Sequence, residues 1–129
     1  MDKVTYWLAL VDEDVLTAKA MLKSKRLLPM GFFCHLAVEK SLKAVIAKNT
    51  DDVPPRIHNL LRLADQATLT KKLSETQINL LERLNPMQIE ARYPDYKNKV
   101  ASTLTMDICE KMMVETEAFL CWIKKQLGK

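Results

Sequence analysis

Only two glycines, Gly31 and Gly128, occur among the 129 residues, and their scarcity narrows the possible folds more than any other feature. Tight hairpin turns need residues that accept a positive φ, glycine above all. Runs of β-branched residues, which suit a pleated sheet, are scarce as well. A chain lacking both turn glycines and strand formers is expected to be all-α.

The spacing of apolar residues agrees. From about residue 3 to 24, Val4, Trp7, Leu8, Val11, Val15, Ala18 and Leu22 fall on one helical stripe, with Asp14 at its edge. A carboxylate there is costly unless paired. Pro29 and Gly31 mark a break, and a second helix is expected from roughly 30 to 49. The Pro54-Pro55 pair forces a loop, followed by a short helix near 57 to 67. Ser74 to Gln77, "SETQ", reads as a capping box opening a fourth helix that ends near Asn85-Pro86. Residues 89 to 100 are polar and aromatic, with a central proline and no sustained period. A last helix is expected from about 103 to 127, with Leu104, Ile108, Met112, Phe119, Trp122 and Ile123 inward. Three long and two short helices joined by short connections make an antiparallel up-and-down bundle, a single domain over 1–129.

The segment "GFFCHLAVEKSLKAV", Gly31 to Val45, raises a chemical question. Its helix looks built for burial, yet His35, Glu39 and Lys43 share one arc, with Lys40 beside them. Phe32, Leu36, Ile46 and Ala47 interleave with them. Such a mixed surface points to contact with another chain or with the charged last segment; the other reading is a Glu39–Lys43 ladder on the helix surface.

Totals set the remaining bounds. With 48% hydrophobic and 28% charged residues, disorder is not expected. A formal charge of +4 allows weak attraction to phosphates, but no clustered basic face signals a DNA-binding protein. Cys34, Cys109 and Cys121 form no CxxC pair or Cys/His ligand pattern and read as buried reduced thiols. The methionines of the last helix read as packing, so no metal or cofactor is expected. Acids interrupt the N-terminal apolar run, and no run approaches a membrane span of about 20 residues, so a cytoplasmic, soluble protein is expected.

Four segments, in order, resemble the HEPN domain family (named for nucleotide binding in higher eukaryotes and prokaryotes), in its small stand-alone prokaryotic form. "WLALVDEDVLTAKAML" resembles the family's first helix, "HLAVEKSLKAV" its second, "PPRIHNLLRL" the loop and third helix, and "ARYPDY" the segment before the last helix. The resemblance implies a bundle of about five helices, commonly a homodimer, found beside a minimal nucleotidyltransferase in toxin–antitoxin or defence settings. It also implies that some relatives cleave RNA without metal, through an Arg followed after four to six residues by a His. Here Arg26 lies nine residues before His35, Arg56 two before His58, and no histidine follows Arg92. That motif is absent, and no catalytic residue is assigned.

Candidate ligand or interface residues follow. Arg92 offers a fork for phosphate, with Tyr93 or Tyr96 stacking on a base, or alternatively neutralises Asp14 across the bundle. His58 sits at a helix start, where it caps the helix or binds Asp51 or Asp52, or acts catalytically. His35 with Glu39 reads as an acid–base couple or an interface hydrogen bond, and Lys40 and Lys43 as weak phosphate contacts. Three functions stay open: a non-catalytic HEPN subunit binding a nucleotide-type ligand or a nucleotidyltransferase partner, a ribonuclease with a relocated site, and a structural oligomer or adaptor.

Overall fold

The structure, a computed structural model, describes residues 2–89 and 94–129. The described residues form six α-helices: α1 (Lys3–Lys23), α2 (Leu27–Asn49), α3 (Leu60–Gln66), α4 (Glu75–Ile89), α5 (Pro94–Ala101) and α6 (Met106–Gln126), with a 3-10 turn at Thr70–Lys72 between α3 and α4. Among the described residues there is no strand, and the expected all-α bundle is what the chain forms.

Local chemistry fixes the helix starts. The side chains of Asp2, Asn59 and Thr105 accept bonds from otherwise free N–H groups of α1, α3 and α6. The capping box forms reciprocally: the Ser74 N–H donates to Gln77 Oε1 at 2.9 Å, and the Gln77 N–H to Ser74 Oγ at 3.1 Å.

The hub is α2, which packs against each of the other five helices. Cys34, Ala37, Val38, Leu42 and Ala44 on it are wholly buried. Around it stand Val11 and Ala18 of α1, Leu60 and Leu63 of α3, Leu80, Leu81 and Leu84 of α4, and Met112, Phe119 and Ile123 of α6, one contiguous core. Among the described residues, no helix is long and apolar enough to cross a membrane.

Prolines account for most of the differences from the sequence reading. Pro29 does not precede α2 but lies in its first turn, where its missing N–H costs no bond, so the helix starts at Leu27 and runs through Gly31. Gly31 is used for proximity: a Cβ there would lie 2.8 Å from the Met87 sulfur. Because Met87 is buried, α4 continues through Pro86 to Ile89 rather than stopping at Asn85; that burial outweighs the bond the proline cannot make. Pro94 opens α5, an eight-residue helix that the polar composition of this segment concealed.

Two expectations about burial fail. Ile108 is 41% exposed, because Cys109, one position on, faces the core. Cys121 is exposed, whereas Cys34 and Cys109 are buried. Burial pushes the Cys34 thiol up to about 12, so it stays protonated.

Candidate functional site

The ionisable arc of α2 lies inside the molecule. His35, Glu39 and Lys43 are all buried, under the loop of residues 50–59 and against Trp7 of α1, whose ring centroid is 5.9 Å from Lys43 Nζ. The chain itself covers this arc, so its ionisable groups do not face another chain; the expected Glu39–Lys43 pair does form, but inside the molecule rather than on its surface.

Glu39 is the centre of the cluster. Lys43 Nζ donates to its Oε2 at 3.0 Å, one helical turn along. From the loop, His58 Nδ1 donates to its Oε1 at 3.1 Å. His35 Nε2 donates to the backbone carbonyl of His58 at 3.0 Å. The loop is thus tied to α2 twice at one residue, once through its backbone and once through its imidazole. Asp51 and Asp52, the partners considered for His58, do not take this bond.

These bonds fix the tautomers. A carbonyl only accepts, so the proton of His35 sits on Nε2. Burial, the largest influence, pulls His35 down to about 4 against the opposing effects of Glu39 and the His58 carbonyl. The ring is therefore neutral near pH 7, and its Nδ1 keeps a lone pair with no partner, 3.6 Å from Glu39 Oε1. His58 differs. Its side chain is 51% exposed. In the tautomer that gives Nδ1–H to Glu39, the lone pair lies on Nε2.

Outward lies a cleft of ≈ 310 Å³, lined by Ile57, His58, Asn59, Arg62, Asn85 and Gln88. Asn59 and Asn85 are structural: Asn59 Oδ1 accepts from the Leu61 and Arg62 N–H groups and from Asn85 Nδ2, while Asn85 Oδ1 accepts from the Leu60 N–H. They hold the start of α3 against α4. Arg62, in the first turn of α3, is exposed and meets no carboxylate among the described residues. The sequence reading missed Arg62, Asn85 and Gln88. No helical spacing signalled the pair, since His58 precedes the N-cap Asn59 and lies outside α3; their separation of four residues in the chain was the available cue.

The other candidates sit apart. Asp14 is buried, and its charge is met by Lys40, 2.8 Å away, from a direction too oblique for a hydrogen bond. Arg92 and Tyr93 lie outside the described residues, as does the Tyr96 side chain. The described residues contain no cluster of three or more His, Cys, Asp or Glu side chains able to hold a metal.

Chemically, the cleft offers an imidazole oriented by a buried carboxylate, a guanidinium, and an amide at Gln88. That set can accept a hydrogen bond from a hydroxyl, hold a phosphate, and pair with a polar edge.

Comparisons with known proteins agree with this architecture. A search of curated proteins finds no match. The crystal structure of TT1696 from Thermus thermophilus shares the fold, with a TM-score of 0.80 at 18% identity over 97% of this chain and 98% of that one. The HEPN domain profile matches residues 4–126, nearly the whole length. By that match, the chain belongs to the HEPN domain family.

Proposed function

We propose that the protein is a non-catalytic HEPN-domain subunit that self-associates and binds a nucleotide-type ligand in the cleft beside His58. The observation that carries this reading is the bond from His58 Nδ1–H to buried Glu39, which leaves Nε2 as an acceptor at the mouth of a cleft containing Arg62. A ribose hydroxyl donates to Nε2, and the Arg62 fork takes the phosphate. The volume of ≈ 310 Å³ lies at the small end of ligand sites, which favours a mononucleotide over a larger cofactor. Arg92, Tyr93 and Tyr96, Gln88's neighbours in the chain, are proposed to add a second cation and a stacking surface. A nucleotidyltransferase-type protein is the proposed partner.

Isothermal titration with nucleoside monophosphates tests this. Binding that weakens at least tenfold in both Arg62→Ala and His58→Ala, with the helicity of both variants and the melting of Arg62→Ala unchanged, supports it. Absence of binding by every common nucleotide, together with no co-purifying partner, overturns it.

One observation favours a second reading, RNA cleavage at a relocated site. A carboxylate-oriented imidazole with a free Nε2 is the arrangement of a general base. Nε2 would take the proton of a 2′-hydroxyl as that oxygen attacks phosphorus. The 5′-oxygen leaves and is protonated from the imidazolium or water, and Arg62 steadies the charged phosphorane. Metal-free incubation with single-stranded RNA decides it: cyclic phosphate ends lost in His58→Ala support it, and intact RNA rejects it.

A further inference from the structure

Four sulfur side chains gather where α2 packs on α6. The two helices run parallel in one register: Lys48 Nζ donates to the Leu127 carbonyl, and the Cys34 sulfur lies against that of Met113, each pair 79 residues apart in the chain. The same register sets Met30 opposite Cys109. Met30 and Cys34 stand four residues apart on α2, and Cys109 and Met113 four apart on α6, so each pair shares a helix face. Met30, Cys34 and Cys109 are wholly buried, and Met113 is 5% exposed. Sequence spacing conceals the cluster, because its two pairs lie on different helices.

Distances within the cluster suit a ligand set. The Cys34 thiol lies 3.4 Å from the Met30 sulfur and 4.0 Å from the Met113 sulfur. Three sulfurs in a plane around one metal ion, with bonds of about 2.3 Å, stand about 4 Å apart, so small movements of the flexible methionine side chains complete the set. A second observation comes from Thr116, three residues beyond Met113. Its hydroxyl is wholly buried with no hydrogen-bond partner, yet it is close enough to the Cys34 sulfur to favour the thiolate. A thiolate at Cys34 is the acceptor that this hydroxyl lacks. Packing alone calls for neither the sulfurs nor the hydroxyl, since apolar side chains fill such a volume as well.

We propose that Cys34, Met30 and Met113 form a binding site for a soft monovalent cation, Cu(I) in kind, with Cys109 beside it as a further sulfur. Thiolate and thioether ligands select such an ion over harder cations. On binding, the Cys34 sulfur gives a lone pair to Cu(I), the thiol proton leaves to solvent, and no electron is transferred. One cation against one thiolate makes a neutral centre, which an apolar core tolerates; a divalent ion on the same three ligands leaves a net charge buried. Met113, at the slightly exposed edge of the cluster, is the point of entry. The site is separate from the His58 cleft and independent of the function proposed above.

Anaerobic titration of the full chain with Cu(I), competed by the chelator bicinchoninate, tests it, with Cys121→Ser as a control because that thiol is exposed. One Cu(I) per chain is expected in the wild type and in Cys121→Ser alike, with sulfur-only coordination in its X-ray absorption spectrum. Met30→Leu and Met113→Leu, which keep the volume and leave the thiol in place, should each weaken binding at least tenfold with unchanged helicity, and Cys34→Ala should abolish it. Where Cys34→Ala fails to fold, the two methionine variants decide. A wild type that yields all its copper to the chelator, binding that disappears in Cys121→Ser, or binding that either methionine variant leaves intact overturns the site.

Discussion

Replacing Glu39 with glutamine probes the buried cluster directly. The substitution is nearly isosteric, so it opens no cavity; what it removes is the charge that Lys43 and His58 address at 3.0 and 3.1 Å. Lys43 is only 7% exposed. Its ammonium is left with the Trp7 ring at 5.9 Å as a weak alternative. Breaking one partner of a buried pair costs about 3–5 kcal/mol, which for a domain of this size lowers Tm by about 10–20 °C. Adding Lys43→Met removes the stranded charge and keeps the volume, so the double variant should return to within about 1 kcal/mol of wild type. Urea titrations of the wild type, Glu39→Gln, Lys43→Met and the double variant, followed by circular dichroism, give the coupling. If Glu39→Gln costs less than about 1 kcal/mol, or the double variant is no more stable than the single one, Glu39 does not hold Lys43 as argued.

Other outcomes follow from the same structure. His35 is held down to about 4 when folded against about 6.5 unfolded. The unfolded chain therefore protonates first as pH falls, and the folded protein loses stability between about pH 6.5 and 4, by about 3 kcal/mol from this residue; urea midpoints across that range should lose this slope in His35→Gln. Thr68 carries a φ of 58° in the left-handed region, a strained position for a β-branched residue, so Thr68→Gly should stabilise by about 0.5–1 kcal/mol in the same assay. Gly31→Ala should instead destabilise by about 1 kcal/mol, because overpacking against the Met87 sulfur at 2.8 Å outweighs the better helix propensity; a higher Tm in this variant would show that Met87 moves aside freely.

The bundle was legible because periodicity and glycine scarcity report on backbone preferences that tertiary packing reinforced. The same scarcity has a visible cost: Lys25 and Thr68 turn the chain at φ of 63° and 58°, where glycine would be unstrained. Where the reading missed, a local signal lost to packing. Pro86 looked like a helix end, but burial of Met87 carried α4 onward. The composition of α5 gave no period. At the site, His58 and Glu39 were each singled out, yet their bond joins residues 19 apart in the chain, and no helical wheel reaches from α2 to a loop. The Asp14–Lys40 contact escaped notice for the same reason, since it joins two helices.

The placement of Glu39 also explains why a buried charge belongs on the central helix. For stability alone, apolar residues in place of Glu39 and Lys43 would serve as well. Elsewhere the loop of residues 50–59 is held by Lys3 on the Asp51 carbonyl, by Ile57 against the core and by Asn85 on Asn59. At His58 itself the ties are two polar bonds, His35 to the His58 carbonyl and His58 to Glu39, and the second is the one that orients the ring. An apolar α2 would leave the imidazole free to rotate, with either ring nitrogen toward solvent. The carboxylate selects one tautomer and one orientation, and Lys43 balances its charge. Glu39→Gln combined with Lys43→Met is therefore expected to restore stability without restoring binding in the His58–Arg62 cleft: the fold recovers, and the direction in which Nε2 points does not.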